Sequence, residues 1–144
     1  MKLDEIHDLW DGDCEIDQNN ISVEASRVPK LHSKYYRIYS REGLEYQKMK
    51  ERLNRLILLK DQYYRGLMAE EELEELGWPP NPKLILKADV KQHIDGDKDV
   101  IKYRLQVANQ QQKIALLEDI VKSINTRNFL LKTIVDYERF RGGG

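Results

Sequence analysis

The chain has 144 residues, of which 34% are charged and 40% hydrophobic, with a formal net charge of -1 and a mean hydropathy of -0.71. That length suits one domain with a modest core, and no apolar run approaches the roughly 18 to 20 residues that a bilayer crossing requires. Met1-Lys2-Leu3-Asp4-Glu5 enters acidic residues at once, without the basic and apolar stretches of a secretory signal, and the single Cys14 fits a reducing compartment. A cytoplasmic protein is expected.

The near-neutral charge hides a segregation. Residues 1–24 carry eight acids against Lys2, residues 25–65 eleven bases against four acids, residues 66–82 five glutamates and no base, and residues 83–144 twelve bases against eight acids. Local balances of this kind suit a surface that meets an anionic polymer or a charged partner.

In chain order, the acidic segment 1–24 is followed by a long helix over about 27–65. It has Ser26 as N-cap candidate, Pro29 in its first turn and Gly66 at its end. Leu31, Tyr35, Ile38, Tyr46, Met49, Leu53, Leu56 and Tyr63 recur at helical spacing and form a buried stripe. Beside it Lys30, Lys34, Arg37, Arg41, Lys48, Arg52 and Arg55 fall within a sector of about 60°, a basic rail about 37 Å long at about 1.5 Å per residue. The acidic and proline-rich linker 66–82 holds a short helix, Ala69 to Leu76, closed by Gly77, and the loop Trp78-Pro79-Pro80-Asn81-Pro82. Asn81-Pro82 reads as the start of a helix reaching about His93, and Asp97 as the cap of a second long helix running nearly to Phe140, with a break near Asn125.

No segment alternates with period two, so the expected fold is all-α, with long helices in a single domain. The apolar pattern of the second helix fails at Asn109-Gln110-Gln111-Gln112-Lys113. Either these polar residues sit in a helix seam and set register or that turn faces solvent. Leu117, Val121, Ile124, Leu131, Ile134 and Val135 make an apolar face wider than two helices of a short chain cover, so the region about 83–140 is expected to join copies into a homo-oligomer.

The residues offer little catalytic chemistry. The glycines are isolated and start no phosphate loop, and His7, His32, His93 and Cys14 lack metal-ligand spacing. Asp95, Asp97 and Asp99 imitate a calcium loop but have Val100 and Gln106 where its glycine and terminal glutamate belong. The expectation is a non-enzyme without cofactor or metal. Cations interleaved with aromatics, as in Lys34-Tyr35-Tyr36-Arg37-Ile38-Tyr39-Ser40-Arg41 and Lys60-Asp61-Gln62-Tyr63-Tyr64-Arg65, suit single-stranded nucleic acid. Cations hold phosphates and aromatic faces stack on bases, whatever the base sequence. Tyr36 and Tyr39 point away from the apolar stripe and are the stacking candidates; Tyr35, Tyr46 and Tyr63 belong to the core. A helical scaffold or adaptor, its charges serving protein docking, is the alternative.

Over about two thirds of its length the chain also resembles the UvsY-type recombination mediators of T-even-like phages. The likeness is carried by Ser33-Lys34 followed by an aromatic, Tyr63-Tyr64-x-Gly66, Asp97-Lys98-Asp99-Val100-Ile101-Lys102, and Arg127-x-Phe129-x-x-Lys132 with Asp136 and Phe140. It implies a ring-shaped homo-oligomer of about six or seven chains in the cytoplasm of an infected host. Such a ring binds single-stranded DNA, helps displace the phage single-strand-binding protein and loads a UvsX-like recombinase. Of the two basic residues that the family places before the tyrosine pair, Lys60 is present and Leu58 replaces the other, which shifts the expected contact onto Arg52, Arg55 and the rail. The Trp78–Pro82 segment departs from the family.

Overall fold

A computed structural model describes residues 1–81 and 85–143. In chain order these form α1 (Leu3–Asp13), α2 (Ile21–Tyr64), α3 (Glu70–Leu76), a single 3-10 turn (Lys87–Asp89), α4 (Val90–Asp95), α5 (Lys98–Asn125) and α6 (Arg127–Arg141). No strand occurs among the described residues, so the fold is all-α. Among the described residues no helix is long and apolar enough to cross a membrane.

The expected long helix is α2, but it begins at Ile21 rather than beside Ser26. Asp17 sets the start: its carboxylate accepts from Asn19 N at 3.0 Å and Asn20 Nδ2 at 2.8 Å, an Asx turn that delivers the chain into the helix. Ser26 is interior, its Oγ donating to Val23 O, and Pro29 lies two turns inside the helix, where its missing N–H removes one ladder bond. Gly66 ends α2 as expected. Gly66 N donates to Tyr63 O and Leu67 N to Gln62 O, a Schellman closure that needs the left-handed φ of 72° at Gly66. Gly66→Ala should cost about 1 kcal/mol, lowering the thermal midpoint by about 3 °C; differential scanning calorimetry reads it. Gly77 closes α3 by the same pair of bonds.

The start of the helix expected from Asn81-Pro82 to His93 falls on residues 82–84, outside the described residues, and from Lys87 the chain makes the 3-10 turn and then α4. The second long helix divides at Thr126 into α5 and α6. Asp97 caps α5 as expected: its Oδ1 accepts Asp99 N at 2.9 Å and Val100 N at 3.1 Å.

The chain forms two compact units, one of residues 1–45 with 109–144 and one of residues 46–108. The core of the first is Ile6, Leu31, Tyr35, Leu117, Ile120 and Ile124, packed against Leu9, Trp10 and Val121. The acidic N-terminal segment therefore contains an amphipathic helix, α1, whose apolar side completes that core. Arg127, 4% exposed, fastens the turn behind α1, donating to Cys14 O at 3.2 Å, Glu15 O at 3.0 Å and the buried Glu24 carboxylate at 3.4 Å. In the polar turn of α5, Asn109, Gln111 and Gln112 face solvent, but Gln110 does not. It is buried and donates to Glu42 O and Oε2 at 2.9 and 2.8 Å. The second unit is centred on Val90, Ile94 and Val100, with Leu56, Ile57 and Tyr64 against them.

Candidate nucleic-acid interface

The seven residues of the rail, Lys30, Lys34, Arg37, Arg41, Lys48, Arg52 and Arg55, are all exposed. The first four belong to the first unit and the last three to the second. Lys34 is held at one end, its Nζ 2.6 Å from Asp13 Oδ2, which also accepts from Tyr35 Oη at 2.8 Å. Burial pushes the Asp13 carboxyl up, but the bonds from Lys34 and Tyr35 outweigh it and hold Asp13 below its ordinary value. The same burial, with Asp13 beside it, drives the Tyr35 phenol well up. Tyr35 is fully buried, as expected of a core tyrosine.

Tyr36 is 52% exposed. Its ring lies between two neighbours on α2: His32, at a centroid distance of 5.7 Å and an interplanar angle of 12°, and Tyr39, at 6.0 Å and 51°. Tyr39 is half-buried and donates its hydroxyl to Glu118 Oε1 at 3.0 Å, so its ring edge is fixed. These side chains make a short ladder in which each ring limits the motion of the next. Tyr36 lies about 100° round the helix from Arg37, on the outward side. Sequence reasoning missed His32; its spacing of four from Tyr36, one helical turn, was the available signal.

Lys60 departs from the expectation of a DNA contact. It is 4% exposed, with Nζ 3.1 Å from Asp97 Oδ2, 2.9 Å from Asp99 Oδ2 and 3.9 Å from the Trp78 ring centroid. Tyr64 Oη also donates to Asp97. Burial raises the Asp97 carboxyl, yet the bonds from Tyr64, Val100 N and Lys60 prevail and hold it below its ordinary value. The Lys60 ammonium is therefore committed inside the second unit.

The residues expected to join copies are also partly relocated. Leu117 and Ile124 are fully buried, because α1 and α2 supply intramolecular cover that the sequence reading did not count, and Leu131 is 3% exposed. Val121 packs against the same core, and Ile134 and Val135 are half-buried. On α6 the exposed apolar residues are Phe129 at 76%, Leu130 at 50%, Tyr137 at 60% and Phe140 at 84%.

The family described as recombination, repair and ssDNA binding protein UvsY matches residues 9–144. The chain belongs to the UvsY family. Its fold is also that of crystal structures of the bacteriophage T4 recombination mediator protein UvsY. One is matched at 21% identity with a TM-score of 0.84, covering 97% of this chain and 99% of that one. A second is matched at 20% identity and 0.84, covering 99% and 98%. No curated protein matches. Several of the residues that carry the UvsY likeness have structural work in this chain: Asp97 caps α5, Tyr64 binds Asp97, and Arg127 fastens the turn behind α1.

Proposed function

We propose that this UvsY-family protein is a single-stranded DNA-binding recombination mediator. It acts in the cytoplasm of the infected host, helps displace the phage single-strand-binding protein and loads a UvsX-like recombinase. The observation that carries the reading is the exposed cationic stripe on α2 next to the outward-facing ring of Tyr36. Among the described residues Lys30, Arg37, Arg41, Lys48 and Arg55 have no salt-bridge partner, so their charge is available to phosphates. Neither device reads base sequence, which suits a protein that must act wherever a strand is exposed.

The copies assemble into a ring. Support for this comes from the exposed Phe129, Leu130, Tyr137 and Phe140 on α6, since an apolar stripe of this spacing is stabilised when another copy covers it. A strand visiting several copies gains effective concentration from weak contacts. Bending it over successive rails loosens the resident binding protein while bases remain accessible to the recombinase. The chain's own contribution is positional and electrostatic, and no bond is made or broken.

Titration of the full chain with a thymidine oligomer across a salt series tests this reading. Affinity should fall with salt, each neutralised phosphate contributing about -0.7 to the slope of log K against log salt. Tyr36→Leu should weaken binding to the thymidine oligomer by about 1 to 3 kcal/mol per stacked base and leave binding to an abasic phosphodiester unchanged. Absence of binding, or a flat salt dependence, would instead identify a protein adaptor.

A further inference from the structure

The carboxylates of α1 divide between two sides of the helix. Asp4, Asp8 and Asp11 recur at spacings of four and three and are exposed, forming a solvated acidic side. Asp13 comes about 200° of rotation after Asp11. That places it seven and four positions from Ile6 and Leu9, on the side packed against Leu31 and Tyr35 of α2. Its carboxylate, 22% exposed, faces three groups of α2: Lys34 Nζ at 2.6 Å, Tyr35 Oη at 2.8 Å and Arg27 Nη2 at 4.0 Å.

Two of these contacts do not require a charge. The hydroxyl of the buried Tyr35 needs an acceptor, which an amide oxygen would supply as well. Arg27 is already paired with Glu24 at 3.1 Å. The negative charge of Asp13 therefore acts chiefly on Lys34, a member of the basic rail. The other rail residues of the first unit, Lys30, Arg37 and Arg41, have no salt-bridge partner among the described residues. The Lys34 side chain is still 43% exposed, so a phosphate can reach it, but it meets an ion pair rather than a free cation.

We infer that Asp13 is a built-in competitor for the strand, neutralising Lys34 in the free protein and so withholding one phosphate contact from the first unit. The inference rests on the reading of the rail as the single-strand contact. Counterions leave a strand where net positive charge replaces them, and Lys34 paired with Asp13 presents none. When Lys34 turns to a phosphate instead, Tyr35 and Arg27 remain beside Asp13, so the exchange leaves no carboxylate stranded. A grip weakened at one end of the rail suits a protein that passes its strand to a recombinase.

Salt titrations of the full chain with a thymidine oligomer test this. Asp13→Asn keeps an oxygen for the Tyr35 hydroxyl and removes the charge. It should raise affinity at about 0.1 M salt about fivefold and steepen the slope of log K against log salt by about 0.7, the value for one phosphate. In a Lys34→Gln background the same substitution should change affinity by less than about twofold, because the interaction it removes is already absent. Asp11→Asn, which takes an equal charge from the solvated side, should also stay within about twofold, screened by salt. Unchanged or lower affinity for a normally helical Asp13→Asn, or an equal gain in either control, would overturn the inference and leave the rail as the strand contact. No binding by wild type or Asp13→Asn would overturn the proposed function and this inference with it. Should Asp13→Asn fail to fold, single replacements in the wild type decide. Lys34→Gln should then cost less than about twofold in affinity where Lys30→Gln costs about fivefold, and equal losses would count against Asp13 as a competitor.

Discussion

Lys60→Met should destabilise the protein by about 3 kcal/mol, the scale for removing one partner from a buried charge pair, or on the order of 10 °C in thermal midpoint. The substitution retains the side-chain length but leaves Asp97, itself 8% exposed, without its cation. The pH dependence has a definite sign. Asp97 is held below its ordinary value when folded, so its stabilising contribution is complete above the ordinary carboxylate range and is lost as pH falls through the folded value. The gap between wild type and Lys60→Met should therefore be widest near neutrality and narrow as Asp97 takes up a proton. Calorimetry from neutral pH down to about pH 3 reads both quantities. An unchanged midpoint together with a large loss of DNA affinity would place Lys60 on the strand after all.

Replacing Lys48, Arg52 and Arg55 together by alanine should have the opposite profile. All three are exposed and alanine has the highest helix propensity, so circular dichroism should show helicity and thermal midpoint nearly unchanged. If the three meet phosphates, the salt slope should become shallower by about 2, and affinity at about 0.1 M salt should fall on the order of 100-fold. The matching triple at Lys30, Arg37 and Arg41 measures the share carried by the first unit. An unchanged slope in both variants would move the strand elsewhere, with Lys98 and Lys102 the next cations to replace.

Much of this was legible in the sequence because it rests on local rules. The stop at Gly66, the closure at Gly77, the cap at Asp97 and the break after Asn125 each follow from residues within one or two turns. The position of Lys60 was legible too, once placed on the helix rather than in a charge run. At about 100° per residue it falls some 120° from Lys30 and in the middle of the apolar stripe, as does Glu42, and both are buried. The residue types pointed to a DNA contact and the angle pointed to the core; the angle prevailed, because Asp97 and Asp99 were available to neutralise the ammonium.

The rest was hidden for a physical reason. In α1 only Ile6, Leu9 and Trp10 carry the apolar side against the core, too short a pattern to stand out from eight surrounding acids. Without α1, the apolar residues of α5 and α6 looked uncovered, and Leu117, Ile124 and Leu131 were assigned to a contact between copies. Likewise the partners of Gln110 and Arg127 lie 68 and 103 or more positions away, a separation at which neither periodicity nor capping rules carry information.

The first unit is drawn from the two ends of the chain, with the 63 residues Tyr46 to Ala108 between its halves. Bringing the ends of a flexible loop of that length together costs about 4 kcal/mol on (3/2)RT ln n scaling. That cost falls if the intervening segment has already folded, since a structured insert is a shorter tether than a coil. The middle of the chain thus governs how fast its ends find each other. Trp10, edge-on to Tyr35 at 5.3 Å, reports on the first unit alone. Lys60→Met, a change in the second, should slow the recovery of Trp10 fluorescence on refolding in a Trp78→Phe background, while a recovery rate equal to that of the Lys60 parent would show that the two ends close without help from the segment between them.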